Sequence, residues 1–267
     1  MDHKTVIITG SSSGIGHTCA REFNKRGYNV VIASRSIDKL NWIVKNELEE
    51  NRSLAVKTDV SNEEDCKNLI SKTIDRFGRI DVLINNAGIS MRALFNDVNL
   101  IVIRKLMEVN FFGTVYCTKY ALPHLIYSKG SLVGISSIAG FHGLPGRSGY
   151  SASKFAMNGF LETLRIENYR NGLHVMIVAP SFTSSNIRKS ALLADGNMQG
   201  DSPRTEEKMM SAEEVAHSIY KGVKYKKRNI ILTKEGKFTV LVQRIVPHML
   251  DRIFYWQMAK EPGSPFK

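Results

Sequence analysis

The chain has 267 residues, 43% hydrophobic and 23% charged, an ordinary globular composition that excludes a disordered chain and suits one large domain with its own core. Lysine and arginine total 37 against 25 acidic residues, and the formal charge of +12 suits phosphates, nucleic acid or an anionic membrane without choosing among them. The three widely spaced cysteines, Cys19, Cys66 and Cys117, suggest neither a disulfide framework nor a zinc site.

The first apolar stretch, 5–9, is too short for a signal-peptide core. No apolar run approaches the roughly 18 residues of a membrane span. The expectation is a cytoplasmic protein, with a peripheral membrane contact left open. Strands are expected at 5–9, 29–34, 54–58, 80–85, 131–136, 174–179 and 229–232. Helices are expected between them, among them 15–25, 38–50, 63–77 and 153–169. Val30-Val31-Ile32-Ala33 is apolar on both faces, which suits a parallel strand covered by helices on each side. The alternation predicts one doubly wound α/β domain over 1–235, continued by a helical extension over 236–267. The irregular stretch of about 181–210, with Gly196, Gly200 and Pro203, reads as a lid over a substrate.

Between the first strand and first helix stands Thr9-Gly10-Ser11-Ser12-Ser13-Gly14-Ile15-Gly16. Its glycines allow a tight turn, and the helix N-terminus that follows suits a pyrophosphate. The GxxxGxG spacing differs from GxGxxG, and it lacks the lysine of a nucleotide-hydrolase loop. The second strand ends Ser34-Arg35-Ser36. Ser34 cannot play the acidic role that binds a free ribose 2′-hydroxyl, whereas Arg35 can fork onto a 2′-phosphate and Ser36 can donate a hydroxyl. The other reading of Arg35 is a solvated surface arginine. Tyr150-Ser-Ala-Ser-Lys154 places a phenol and an ammonium four residues apart, on one face of a helix. A nearby cation favours phenolate and would make Tyr150 a usable acid and base.

With the glycine loop, Asn85-Asn86-Ala87-Gly88, Asn110, Ile135-Ser136-Ser137 and the Tyr150/Lys154 pair, the chain resembles the short-chain dehydrogenase/reductase family over about 4–232. The resemblance implies a Rossmann-type domain with a seven-stranded parallel sheet. It also implies a catalytic tetrad of Asn110, Ser137, Tyr150 and Lys154, with Ser136 the lesser claimant to the serine role. Ser137 would bond the substrate oxygen and Tyr150 would exchange its proton. Lys154 would hold the nicotinamide ribose and depress the Tyr150 pKa, and Asn110 would hold Lys154 through a water. Asp59 and Val60 match the adenine contacts, and Asn86, Ala87 and Gly88 the segment beside the adenosine. After the sixth strand the usual Pro-Gly is replaced by Pro180-Ser181, leaving Thr183 and Ser184 to contact the carboxamide or pyrophosphate. Ser13 stands where NADP-preferring members often carry a basic residue, so Arg35 carries the preference for NADP(H) over NAD(H) nearly alone.

The segment 152–156 and the chain's ending are similar to the branch around the 11β-hydroxysteroid dehydrogenases and membrane-associated dehydrogenase/reductases, and also to 3-ketodihydrosphingosine reductases. That implies an apolar ketone or secondary alcohol: a steroid, a long-chain keto-lipid or a xenobiotic. The family's habit implies a homodimer or homotetramer. The rival function is a nucleotide-binding sensor or scaffold without turnover. No motif supports binding of nucleic acid. His142, His174 and His217 read as structural or surface residues, and Ser211 to Glu214 as a capping box. Segment 221–244 carries eight basic residues against one acid. Beyond it, Phe238, Leu241, Val242, Ile245, Met249, Ile253 and Trp256 recur at helical spacing, with Pro247 expected to kink or divide the helix. The stripe either packs on the protein's own core or another subunit, or lies on a membrane beside the active-site mouth.

Overall fold

The computed structural model describes residues 3–180, 183, 187–200, 209–260, 264 and 266. Seven parallel strands form one sheet in the order β3-β2-β1-β4-β5-β6-β7. They are β1 (Thr5–Thr9), β2 (Asn29–Ser34), β3 (Ser53–Lys57), β4 (Val82–Asn85), β5 (Ser131–Ile135), β6 (His174–Ala179) and β7 (Asn229–Ile231). In β1 the alternation of side chains splits a fully buried run between two layers. Ile7 joins the core beneath α3 (Glu63–Phe77), α5 (Gly113–Tyr127) and α6 (Ser148–Glu167). Val6 and Ile8 join the core beneath α1 (Gly14–Lys25), α2 (Ile37–Glu47) and α7 (Ala212–Lys224). Strand order reverses between β1 and β4, and a cleft opens there at the carboxyl ends of the strands.

Most expected boundaries hold within one or two residues, and three differences have physical causes. Strand β4 begins at Val82, because the Asp81 carboxylate is committed to the Thr5 N–H at 2.8 Å and to Arg79. Helix α2 ends at Glu47, and a separate turn of 3-10 helix follows at Glu50–Arg52. Helix α6 starts at Ser148 rather than 153, because its first turns are built from small residues that carry no apolar periodicity. The run from α4 (Leu100–Leu106) into α5 is a helix interrupted by a π turn at Met107–Phe112.

The extension forms α8 (Lys234–Ile245) and α9 (Pro247–Ala259), divided where Pro247 takes the first position of the second helix. Val242, Leu250 and Met258 face inward. His142 ties both helices to the segment after β5: its Nδ1 lies 2.5 Å from Gln243 Oε1, and its ring stacks on Phe254 at 4.8 Å. The rest of the predicted apolar stripe does not pack on the core: Leu241 and Ile245 are 57% and 69% exposed. Among the described residues, no helix is long and apolar enough to cross a membrane.

Candidate active site

The glycine loop is held by neighbours before any ligand is considered. Ser11 Oγ accepts from Ala33 N at 2.8 Å, clamping the loop onto β2. Asn86 Nδ2 donates to the carbonyls of Thr9 and Gly10 at 2.8 and 3.1 Å. Gly10 has φ +65, and a Cβ there would sit 2.8 Å from Ala87 Cα. A Cβ on Gly16 would meet Asn86 Nδ2 at 2.4 Å and Gly10 O at 2.5 Å, so Gly16 serves close packing of loop against strand and is not part of the cleft wall. Ser13 precedes α1 without capping it through its side chain.

One cavity of about 1820 Å³ runs from this loop across the strand ends. At one end it is lined by Gly10, Ser12, Ser13, Gly14 and Ile15, then by Ser34, Arg35 and Ser36. Asp59, Val60, Asn86, Ala87 and Gly88 lie along it, and Ser137, Tyr150, Lys154, Pro180 and Thr183 line its middle. Every sequence-derived candidate among the described residues lines this one cavity except Gly16 and Asn110. Ser181, Ser184 and the expected lid's 201–208 lie outside the described residues. Lid residues 187–200 are seated on the loop after β4 through Leu192 N to Ser90 O at 2.9 Å, Arg92 N to Leu192 O at 2.8 Å and Asn99 N to Ala194 O at 2.8 Å.

At the cavity's centre, Tyr150 is 9% exposed and Lys154 3%. Ser137 lines the cavity beside Tyr150, and its Oγ accepts from Ala139 N at 3.2 Å. Ser136 also lines the cavity, and its Oγ is buried without a partner among the described residues. Burial pushes the Tyr150 pKa up, opposed by the nearby Ser137 hydroxyl and the Arg147 cation. That departs from the expected depression by Lys154, whose Nζ lies 5.9 Å from the Tyr150 ring. Burial also pulls Lys154 down to about 8.

Lys154 Nζ donates directly to Ile135 O at 2.8 Å. Asn110 sits in the π turn, with Oδ1 accepting from Ile89 N at 2.8 Å. Its Nδ2 donates to Ile89 O and to Ser153 Oγ at 3.0 and 2.9 Å. The Asn110 side chain thus pins the loop after β4 to α6. Gly88 explains how Asn110 and Lys154 come near one another: a Cβ there would lie 3.2 Å from Asn110 Oδ1 and 3.6 Å from Lys154 Nζ.

Arg147 and Ser153 were not among the sequence candidates. Arg147 lines the cavity and donates to Ser90 Oγ at 2.7 Å and Met91 O at 3.1 Å. It is the N-cap residue of α6, three positions before Tyr150. The three histidines are structural: His174 meets Ser131 and the Lys227 carbonyl, and His217 meets Glu22. The capping box at Ser211 and Glu214 is formed. No group of His, Cys, Asp or Glu among the described residues could hold a metal.

Residues 4–195 match the family model for short chain dehydrogenase. The chain is 33% identical to dehydrogenase/reductase SDR family member 7B of Mus musculus, covering 97% of this chain and 82% of that one. It is 35% identical to 11-beta-hydroxysteroid dehydrogenase A of Arachis hypogaea, covering 98% and 77%. A solved short-chain dehydrogenase from Streptomyces avermitilis superposes with a TM-score of 0.82 at 25% identity, covering 96% of this chain and 97% of that chain.

Proposed function

Because the chain belongs to the short-chain dehydrogenases, an oxidoreductase family, we propose that it interconverts an apolar ketone and a secondary alcohol using NADP(H). The observation that carries this reading is the juxtaposition of Ser137, Tyr150 and Lys154 on the wall of a cavity that continues to the glycine loop. When bound, the cofactor supplies or accepts the hydride. Tyr150 gives its phenolic proton to the substrate oxygen during reduction and recovers it during oxidation. Ser137 donates to the same oxygen and stabilises the charge that develops there. Lys154 would hold the nicotinamide ribose, and Arg147 rather than Lys154 opposes the rise that burial imposes on Tyr150. Asn110 is a positioning residue, acting through Ser153 and the loop after β4.

The residues present fit the cofactor. The glycine backbone leaves room for a pyrophosphate beside Ser12, Ser13, Gly14 and Ile15 at the start of α1. Asp59, Val60, Asn86, Ala87 and Gly88 would take the adenosine, and Pro180 and Thr183 the nicotinamide side. Arg35 is exposed, lines the cavity and has no ion-pair partner among the described residues, which favours NADP(H) over NAD(H). Ser34 and Ser36 beside it can donate to the same 2′-phosphate.

Beyond Tyr150 the cavity wall turns apolar with Leu144, Ile187, Leu192, Phe238, Leu250 and Phe254, which suits a steroid, a long-chain keto-lipid or a xenobiotic carbonyl. The domain boundary proposed is 1–235, with 236–267 a helical extension of the same domain, whose Phe238, Leu250 and Phe254 line the cavity. The three free, buried thiols fit a cytoplasmic protein. Phe155 and Ile166 of α6 are 45% and 73% exposed, which fits a homodimer or homotetramer through that face. A panel of apolar ketones and alcohols, followed at the nicotinamide absorbance with both cofactors, tests the function. Turnover with NADP(H) is expected. Tight cofactor binding with no turnover on any member of the panel would overturn it.

A further inference from the structure

We infer that Arg147 is a positioning residue: it fastens the helix that carries Tyr150 to the loop on which the lid is seated, so that lid and phenol hold one register. Met91, in that loop, forms a parallel β-bridge with Leu192 of the lid. Backbone groups in such a segment point alternately to its two sides. One side meets the lid: Leu192 N donates to Ser90 O at 2.9 Å, and Arg92 N donates to Leu192 O at 2.8 Å. The other side meets the two residues ahead of α6. Ala93 N donates to Gly146 O at 3.0 Å, and Arg147 Nη1 donates to Met91 O at 3.1 Å. The guanidinium thus stands where a third strand would have supplied an N–H. The same Nη1 donates to Ser90 Oγ at 2.7 Å.

Tyr150 lies in the packing that this clamp assembles, because it shares one buried cluster with Met91, Ala93 and Leu192. Arg147 occupies the cap of α6 without capping it through its side chain, which reaches the loop instead. Ser90 is 3% exposed and Met91 0%, so water is poorly placed to replace the donor if it is lost. Hydrogen bonds from a guanidinium are also stronger than neutral ones. Asn110 fastens the same loop farther along α6, through Ile89 N and Ser153 Oγ. The loop is therefore held to α6 on both sides of Tyr150. The charge of Arg147 has a second effect there, opposing the rise that burial imposes on the phenol. The link to turnover rests on the proposed role of Tyr150 as proton donor; the clamp on the lid does not.

The test is hydrogen exchange at the Leu192 and Arg92 amides, which reports lid seating without turnover. It is read beside kcat for the best ketone of the panel and affinity for NADPH. Arg147→Met removes the charge and both donated bonds. Exchange at the two amides should quicken by about tenfold or more, and kcat should fall by about tenfold or more, with NADPH affinity unchanged. Both bonds leave one nitrogen, so the ammonium of Arg147→Lys can donate to the same two oxygens and should recover most of the lost kcat. Ser90→Ala removes one acceptor and keeps the charge, and exchange should quicken only a few-fold. Wild-type exchange at Leu192 and Arg92 in Arg147→Met would overturn the clamp. Faster exchange there with wild-type kcat would overturn the tie to Tyr150. Equal acceleration across all seven strands would mark a general loss of stability and would overturn the assignment too; the milder Ser90→Ala keeps the question open to measurement if Arg147→Met does not fold. Absence of turnover in the unaltered chain would count against the proposed function, while exchange at Leu192 would still decide the clamp.

Discussion

The centre of the cavity and its mouth follow opposite rules. At the centre, polar groups are buried: Lys154 is 3% exposed, is hydrogen-bonded to a backbone carbonyl and sits among fixed partners. At the mouth, apolar groups such as Ile101, Met198, Phe238 and Ile253 are exposed and make few commitments. Burying a cation requires specific acceptors at specific distances, so the centre tolerates little substitution. Exposed apolar side chains need only remain apolar and near the opening, so the mouth tolerates many. Under the proposed function, the first region would conduct the chemistry and the second would govern access.

The contrast is sharpest at Tyr150. The Tyr150→Phe variant keeps the ring and removes the proton, so turnover should fall roughly 10²- to 10⁴-fold, while cofactor affinity, read by fluorescence titration, is unchanged. Near-wild-type turnover would break the comparison at its strongest point. Lys154→Met should also abolish most turnover, yet it should stabilise the fold. Lys154 has its folded pKa at about 8, below the unfolded value of 10.5. The unfolded chain therefore binds more protons in that window, and wild-type stability rises with pH between the two values. Below it the burial penalty is fully present, about 3 kcal/mol, and the lost bond to Ile135 O returns about 1 kcal/mol of that. A gain of about 4–8 °C in Tm near pH 7 follows, shrinking above pH 8. A lower Tm for the variant would mean that the ammonium is better satisfied than its burial indicates.

Arg35→Asp lies between the extremes, being polar and exposed. Affinity for NADPH should drop roughly 10- to 100-fold, with NADH affinity unchanged or improved. Equal binding of the two cofactors by the wild type would remove Arg35 from the cofactor argument. The smallest effect belongs to the mouth: Phe238→Ala should raise KM for an apolar ketone only a few-fold and leave kcat alone. A large fall in kcat there would show that the two regions are coupled after all.

The same contrast explains what could be read from the sequence. Tyr150 and Lys154 must be four apart to share a helix face, and the loop glycines must be glycine to avoid Ala87 and Asn86, so both stand out as patterns. The seven strands were legible because each is a short apolar run. Arg147 and Ser153 were hidden, since their partners, Ser90 and Asn110, are distant in sequence. So was the direct Lys154–Ile135 contact, which the expected water-linked Asn110 arrangement did not foresee. The exposed apolar residues of 95–101 were invisible for another reason: Phe95, Leu100 and Ile101 resemble core residues until their exposure is known.

The π turn at Met107–Phe112 has a consequence for how one helix serves both regions. An α-helix advances about 100° per residue, so one additional residue in a turn resets the phase of all that follows. Upstream of the reset, Ile101 and Lys105 point to the mouth; downstream, Cys117, Ala121 and Leu125 point to the core. Deleting one residue from the turn would preserve helicity and composition while swinging α4 by a little over a quarter revolution against α5. The mouth would then be presented to the wrong side of a catalytic centre that is itself intact. The turn works as a phase coupler, and the alignment of entrance with chemistry depends on its residue count more than on the identity of any side chain in it.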